Sequence, residues 1–170
     1  MNYYKQFLDF LQRHKLYERE SFVFISNHTV NINYNNQEER DFIGCYYSKD
    51  EEDKITNFKV WVPEIIDTTT LFINIHEYVH ALILYKYLNE KYEIGLEKEA
   101  LPLMYEKMYA IEEENISAKA YEKNLKETIN EINTEEYIIG KKIAEELIYK
   151  HDDVKLLNEK AKELVRKYKY

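Results

Sequence analysis

The chain has 170 residues, a length that suits one domain with a sizeable core. Hydrophobic residues make up 45% and charged residues 33%, with only 3 Gly and 2 Pro, which excludes a low-complexity or loop-rich protein and favours helix. A net charge of −8 argues against a general nucleic-acid binder, and the lone Cys45 excludes an internal disulfide and a cysteine-based zinc site.

The first stretch, "MNYYKQFLDFLQRHK", reads as an amphipathic helix over 2–17, with Tyr3, Phe7, Phe10, Leu11 and Tyr17 facing inward. It lacks the basic start, continuous apolar segment and small-residue cleavage site of a signal peptide. No apolar run approaches the ~20 residues of a membrane span. The expectation is a soluble, cytoplasmic protein without membrane or nucleic-acid partners.

"SFVFISNHTVNINY" (21–34) is rich in β-branched and aromatic residues and is expected to form a strand or hairpin arm. "NNQEER" (35–40) reads as a turn, "DFIGCYYS" (41–48) as a second strand, and "ITNFKVWV" (55–62) as a third strand ended by Pro63. Three short strands joined by polar turns predict a small antiparallel meander. The acidic runs 49–53 and 112–114 are expected to face solvent. His14, between Arg13 and Lys15, reads as solvated, His28 as a polar-face residue of its strand, and Cys45 as a small buried residue.

From Asp67 onward the pattern is helical. "DTTT" offers an N-cap for a helix from about 68 to 91, with Gly95 at or beyond its end. Further helices are expected over 96–110, with Pro102 inside it or at a second start, over 111–132, from Asn133 or Thr134 to 150, and from Asp152 or Asp153 to 168. The fold class is therefore α+β and mostly helical: a strand-rich part (20–63) packed on a helical bundle (67–170), forming one domain.

The helix over 68–91 contains "NIHEYVHAL" (74–82). His76 and His80 are four apart and so project from one helical face. Two imidazoles at that spacing can share a small cation. Glu77 lies about 100° round the helix from His76, where it reaches a water on the metal more easily than the metal itself. This is the H-E-x-x-H pattern of zinc metallopeptidases, with the glutamate as general base. The apolar flanks imply burial, and unpaired buried imidazoles and a carboxylate are costly, so a metal also relieves a penalty. Zinc needs a third protein ligand and an open fourth position. No histidine follows His80 at a suitable spacing, and His151 is remote and flanked by charge. An acidic ligand from "GLEKEALPLMYEKMY" (95–109) is expected, from Glu97, Glu99 and Glu106. Glu97 looks solvated. Glu99 stands in an apolar setting, with Glu106 two turns farther along one face.

These two segments, H-E-x-x-H and "EALPLMYE", resemble the gluzincin peptidases, most closely the thimet oligopeptidase and oligoendopeptidase F family. The resemblance implies zinc bound by His76, His80 and Glu99, Glu77 as general base, and Glu106 holding a ligand histidine from behind. "EYIIGKKIAEEL" (136–147) is similar to the family's Tyr-x-x-Gly helix, which implies that Tyr137 donates to the oxyanion. "FIGCYYS" is similar to the family's Gly-x-Tyr strand. Val79 stands where the family has glycine, and the family's histidine just before the catalytic tyrosine has no match in "INEINTEE". The similarity spans about 41–147 and is to a minimal zincin-like catalytic core. It implies one Zn2+ per chain and a peptide or protein substrate. In such enzymes an edge strand before the zinc helix binds extended substrate by β-augmentation, and "NFKVWV" is the expected one, with Phe58 and Trp61 lining the cleft. Two other functions fit the same residues: an inactive zincin-like binding module, and a regulatory protease that cuts one partner protein.

Overall fold

The protein is described by a computed structural model covering residues 3–14, 19–52, 54–90, 99–112, 138, 142, 143, 145, 146 and 153–167. The described elements are helices α1 (Tyr3–Arg13), α2 (Arg19–Asn27), α3 (Gln37–Arg40), α4 (Thr68–Glu90), α5 (Ala100–Glu112) and α6 (Val154–Lys167), and strands β1 (Thr29–Ile32), β2 (Gly44–Lys49) and β3 (Ile55–Pro63). The fold is α+β and mostly helical, as expected. The chain forms two compact units, 1–92 and 93–170.

In the first unit the sheet order is β1-β3-β2. β3 pairs antiparallel with β2 but parallel with β1, so the sheet is mixed and the expected meander is corrected. The cause lies in 21–34, where only Thr29–Ile32 is strand and Arg19–Asn27 is helix. In a helix, Phe22 and Ile25 share one face and Phe24 and His28 the next. Ile25 is fully buried. The Phe22 ring meets Tyr78, and Phe24 stacks on Tyr85 at 4.5 Å and meets Phe58 edge-on at 5.4 Å. Packing against α4 thus overrides the β-propensity of "FVFI". His28 ends α2, its ring stacked on Phe24 at 4.2 Å and its Nδ1–H donating to the Phe24 carbonyl at 2.7 Å.

The predicted turn 35–40 contains α3, where Asn36 caps the helix through its side chain. β2 and β3 form a hairpin closed by Asp50, whose Oδ1 accepts from the amides of Glu52 and Lys54 at 2.9 Å. The ladder pairs Tyr46 with Lys59 and then Ser48 with Thr56, so Tyr47 opposes both Phe58 and Asn57. This β-bulge places Asn57 at φ 52°, a left-handed conformation that asparagine tolerates. Phe58, Val60 and Val62 are buried on one sheet face, against α4, while Lys59 and Trp61 alternate to the other.

α4 lies across β3 and β2, with α1 and α2 packed on it. Its predicted start is correct, with Asp67 as the cap. Asp67 Oδ1 accepts from the Thr70 amide at 2.8 Å and from the Thr70 hydroxyl at 2.8 Å, and Thr70 Oγ1 accepts from the Ile66 and Asp67 amides. In α1, Phe7, Phe10 and Leu11 are buried as expected. Tyr17 lies outside the described residues. His14, read as solvated, is instead buried, its ring 4.7 Å from Phe10, because its α1 position continues the inner face.

In the second unit α5 packs on α6. α5 begins with Ala100 and puts Pro102 in its first turn, where a missing N–H costs no intrahelical bond. Asp153 caps α6, its Oδ1 accepting from the Lys155 amide at 2.9 Å. The helices expected over 111–132 and 134–150 lie almost entirely outside the described residues. No described helix is long and apolar enough to cross a membrane.

Two substitutions test these local devices. Asn57→Gly keeps stability within about 0.5 kcal/mol, whereas Asn57→Val costs about 1–2 kcal/mol in urea unfolding, because a β-branched residue resists the left-handed bulge. Asp67→Ala loses the cap and about 1 kcal/mol near neutral pH. The two hydrogen bonds from Thr70 hold the Asp67 carboxyl below its ordinary range. Its contribution is therefore complete above the ordinary range (pH ~4) and is lost as pH falls through the lowered native value. The stability gap between wild type and Asp67→Ala narrows over that acid window.

Candidate metal centre

α4 is enclosed on most of its circumference. Leu71, Ile75, Val79, Ala81 and Leu82 are fully buried. The half-buried positions Ile73, His76, Glu77, His80 and Leu84 recur at three- and four-residue spacing, which makes one stripe along the helix. The whole H-E-x-x-H set occupies this partly open stripe of α4.

His76 and His80 meet there. Their ring centroids are 4.7 Å apart with planes at 71°, and the two Nε2 atoms approach to 3.1 Å. Two donors of a tetrahedral zinc, each ~2.0–2.1 Å from the metal, stand about 3.3–3.4 Å apart. The pair is within a few tenths of an ångström of that edge, and both rings converge through the same nitrogen. The donor set therefore fits zinc. Neutral imidazole is also the ligand type zinc prefers.

Glu77 is half-buried beside the pair. Cys45, on β2 next to Gly44, is half-buried. Burial pushes its thiol up to about 12, and the negative charge of Glu77 adds to the rise. The thiol is therefore neutral near pH 7 and a weak nucleophile.

In the second unit, Glu99 directly precedes α5 and is half-buried. From Ala100 to Ala110 every residue of α5 is buried except Glu106, which is half-buried. The two carboxylates singled out by sequence are thus the breaks in a buried run, two turns apart on one face. Lys107 is fully buried, which its place in "MYEKMY" did not signal. Glu97, Tyr137 and His151 lie outside the described residues.

The edge strand expected to receive substrate is corrected. β3, which contains "NFKVWV", is the central strand with partners on both sides, so its backbone has no free edge. The edge strand packed on α4 is β2, and no described strand pairs with its outer side. Phe58 is 3% exposed and belongs to the core rather than a cleft. Trp61 lies on the sheet face away from α4, 5.9 Å from the ring of the exposed Phe42. Sequence reading also missed three polar residues on the buried side of α4, namely Thr70, Asn74 and Tyr78. Their i, i+4, i+8 spacing was the available signal.

The chain matches no family model, curated protein or solved structure.

The raised thiol gives a test of the Cys45–Glu77 relation. Cys45 reacts slowly with a chromogenic disulfide at pH 8. Glu77→Gln speeds the reaction a few-fold, because removing the carboxylate charge lowers the thiol pKa and raises the thiolate fraction. Equal rates in the two proteins would remove the coupling.

Proposed function

We propose that the protein is a zinc-dependent peptidase with a zincin-like core. The observation that carries this reading is the convergence of His76 and His80 on one point, Nε2 to Nε2 at 3.1 Å, beside Glu77 on the open stripe of α4. His76, His80 and Glu99 are the proposed zinc ligands, the set that the resemblance to the gluzincin peptidases implies. A zinc ion there supplies Lewis acidity and lowers the pKa of a water it binds.

The chain's own residues account for the remaining chemistry. The imidazoles are fixed by a shared helix, so their spacing needs little reorganisation. The Glu77 carboxylate takes a proton from the attacking water and passes it to the leaving amine nitrogen. Tyr137 is the proposed donor to the developing oxyanion, and Glu106 the proposed partner of a ligand histidine. The side of β2 that no described strand pairs offers backbone N–H and C=O groups to an extended peptide, which supports a peptide or protein substrate.

Glu77→Gln keeps zinc at wild-type occupancy and loses at least about a hundredfold in peptide hydrolysis, since general-base catalysis contributes 10²–10⁴-fold. Wild-type-like turnover in that variant removes the mechanism. Glu99→Ala loses most zinc affinity in a chelator competition, while Glu97→Ala does not. The opposite order assigns the third ligand to Glu97.

A further inference from the structure

α4 has no preferred apolar side. Leu71, Phe72, Ile73, Ile75, Val79, Leu82, Ile83 and Leu84 surround its axis. Hydrophobic burial is non-directional, so it favours many rotations of such a helix about equally. Yet the metal reading needs one rotation, because two ligands on α4 do not complete a zinc site and the third must come from elsewhere. Something other than apolar packing has to select the rotation.

Three buried polar residues stand in a row on the sheet side of α4: Thr70 (0% exposed), Asn74 (4%) and Tyr78 (3%), at i, i+4 and i+8. Thr70 is bound within the helix's own cap, whereas Asn74 and Tyr78 each reach a fixed point outside the helix. Thr70 Oγ1 accepts from the backbone amides of Ile66 and Asp67. Asn74 Nδ2 donates to the Pro63 carbonyl at the end of β3 and to the Thr70 carbonyl, both at 2.8 Å. Both partners are acceptors, which fixes the amide's orientation. Tyr78 Oη lies 2.8 Å from Thr29 Oγ1 on β1. The Thr29 hydroxyl already donates to the Ile25 carbonyl at 2.8 Å, so Tyr78 is the donor. The row therefore ties α4 to its own cap, to the end of β3 and to the start of β1.

We propose that Asn74 and Tyr78 are positioning residues that set the rotation of α4 and so aim the metal-binding face. At about 100° per residue, His76 and His80 fall on the side of the helix away from this row, with Glu77 on the flank between. Rotation by one position would take the Asn74 amide from the Pro63 carbonyl and the Tyr78 hydroxyl from Thr29, each a substantial cost. Buried polar groups that fix register within an apolar interface act by this physics. The positioning role rests on the metal-site reading; the selection of one rotation does not.

Two measurements on the full chain test the two halves. Asn74→Leu removes both amide bonds at similar volume, and Tyr78→Phe removes one hydroxyl while keeping the ring against Phe7 and Phe22. In metal-free protein, wild type gives one set of amide resonances for residues 71–85. The double variant gives split or broadened resonances there, with the helical circular dichroism retained. One sharp, wild-type-like set in the double variant overturns the selection of rotation. In a chelator competition for zinc, each single variant binds about tenfold more weakly than wild type, the low end of the effect of groups supporting metal ligands. Unchanged affinity in both overturns the positioning role, whatever their melting temperatures. If Asn74→Leu does not fold, Tyr78→Phe alone carries both measurements. If wild-type protein takes up no zinc, the metal-site reading falls and the resonances still decide the rotation.

Discussion

The first unit depends on enclosing one apolar helix while leaving a single stripe of it open. α4 is covered by the β3 and β2 face and by α1 and α2. Apolar side chains such as Leu71, Ile75, Val79 and Leu82 provide the burial. Polar groups supply the direction, because a hydrogen bond is lost on rotation and an apolar contact is merely exchanged. The same enclosure gives the half-buried His76, Glu77 and His80 their chemical character. Imidazoles held Nε2 to Nε2 at 3.1 Å in a partly desolvated stripe form a ready pair of ligands for a small cation.

The sheet contributes a second constraint. Its mixed pairing comes from β1, which leaves α2 and pairs with β3 in parallel. β3 is then paired on both sides and β2 becomes the edge strand packed on α4. Peptide backbone offered to this sheet beside α4 meets β2 rather than "NFKVWV". The bulge at Asn57 twists the far end of that hairpin, where Tyr46 and Tyr47 are exposed.

Much of this was legible in the sequence, for identifiable reasons. The boundaries of α4 and β3 follow from strong local signals: the Asp67 cap with Thr70 three residues on, and Pro63 after a β-branched run. The His76–His80 pairing follows from helical spacing alone, and the setting of Glu99 and Glu106 from their apolar neighbours. The segment 19–27 was not legible. "FVFI" has strand propensity, and only the tertiary contacts of Phe22, Phe24 and Ile25 make it a helix. The parallel β1–β3 pairing is a non-local choice that no short stretch encodes. Burial of His14 was hidden by the charged residues beside it in sequence, of which Arg13 is exposed. The polar row of α4 went unread because threonine, asparagine and tyrosine carry no motif, and their meaning emerges only with the partners they meet.

Zinc-edge X-ray absorption on the purified, untagged protein tests the central claim most directly. The account predicts about one zinc per chain, with two imidazole nitrogens and oxygen donors at ~2.0–2.2 Å, and loss of that signal in His80→Ala. Protein that retains no zinc and takes none up on addition would contradict it. "NIHEYVHAL" would then be a buried helix whose two imidazoles simply hydrogen-bond to each other, and the peptidase reading would fall with the metal.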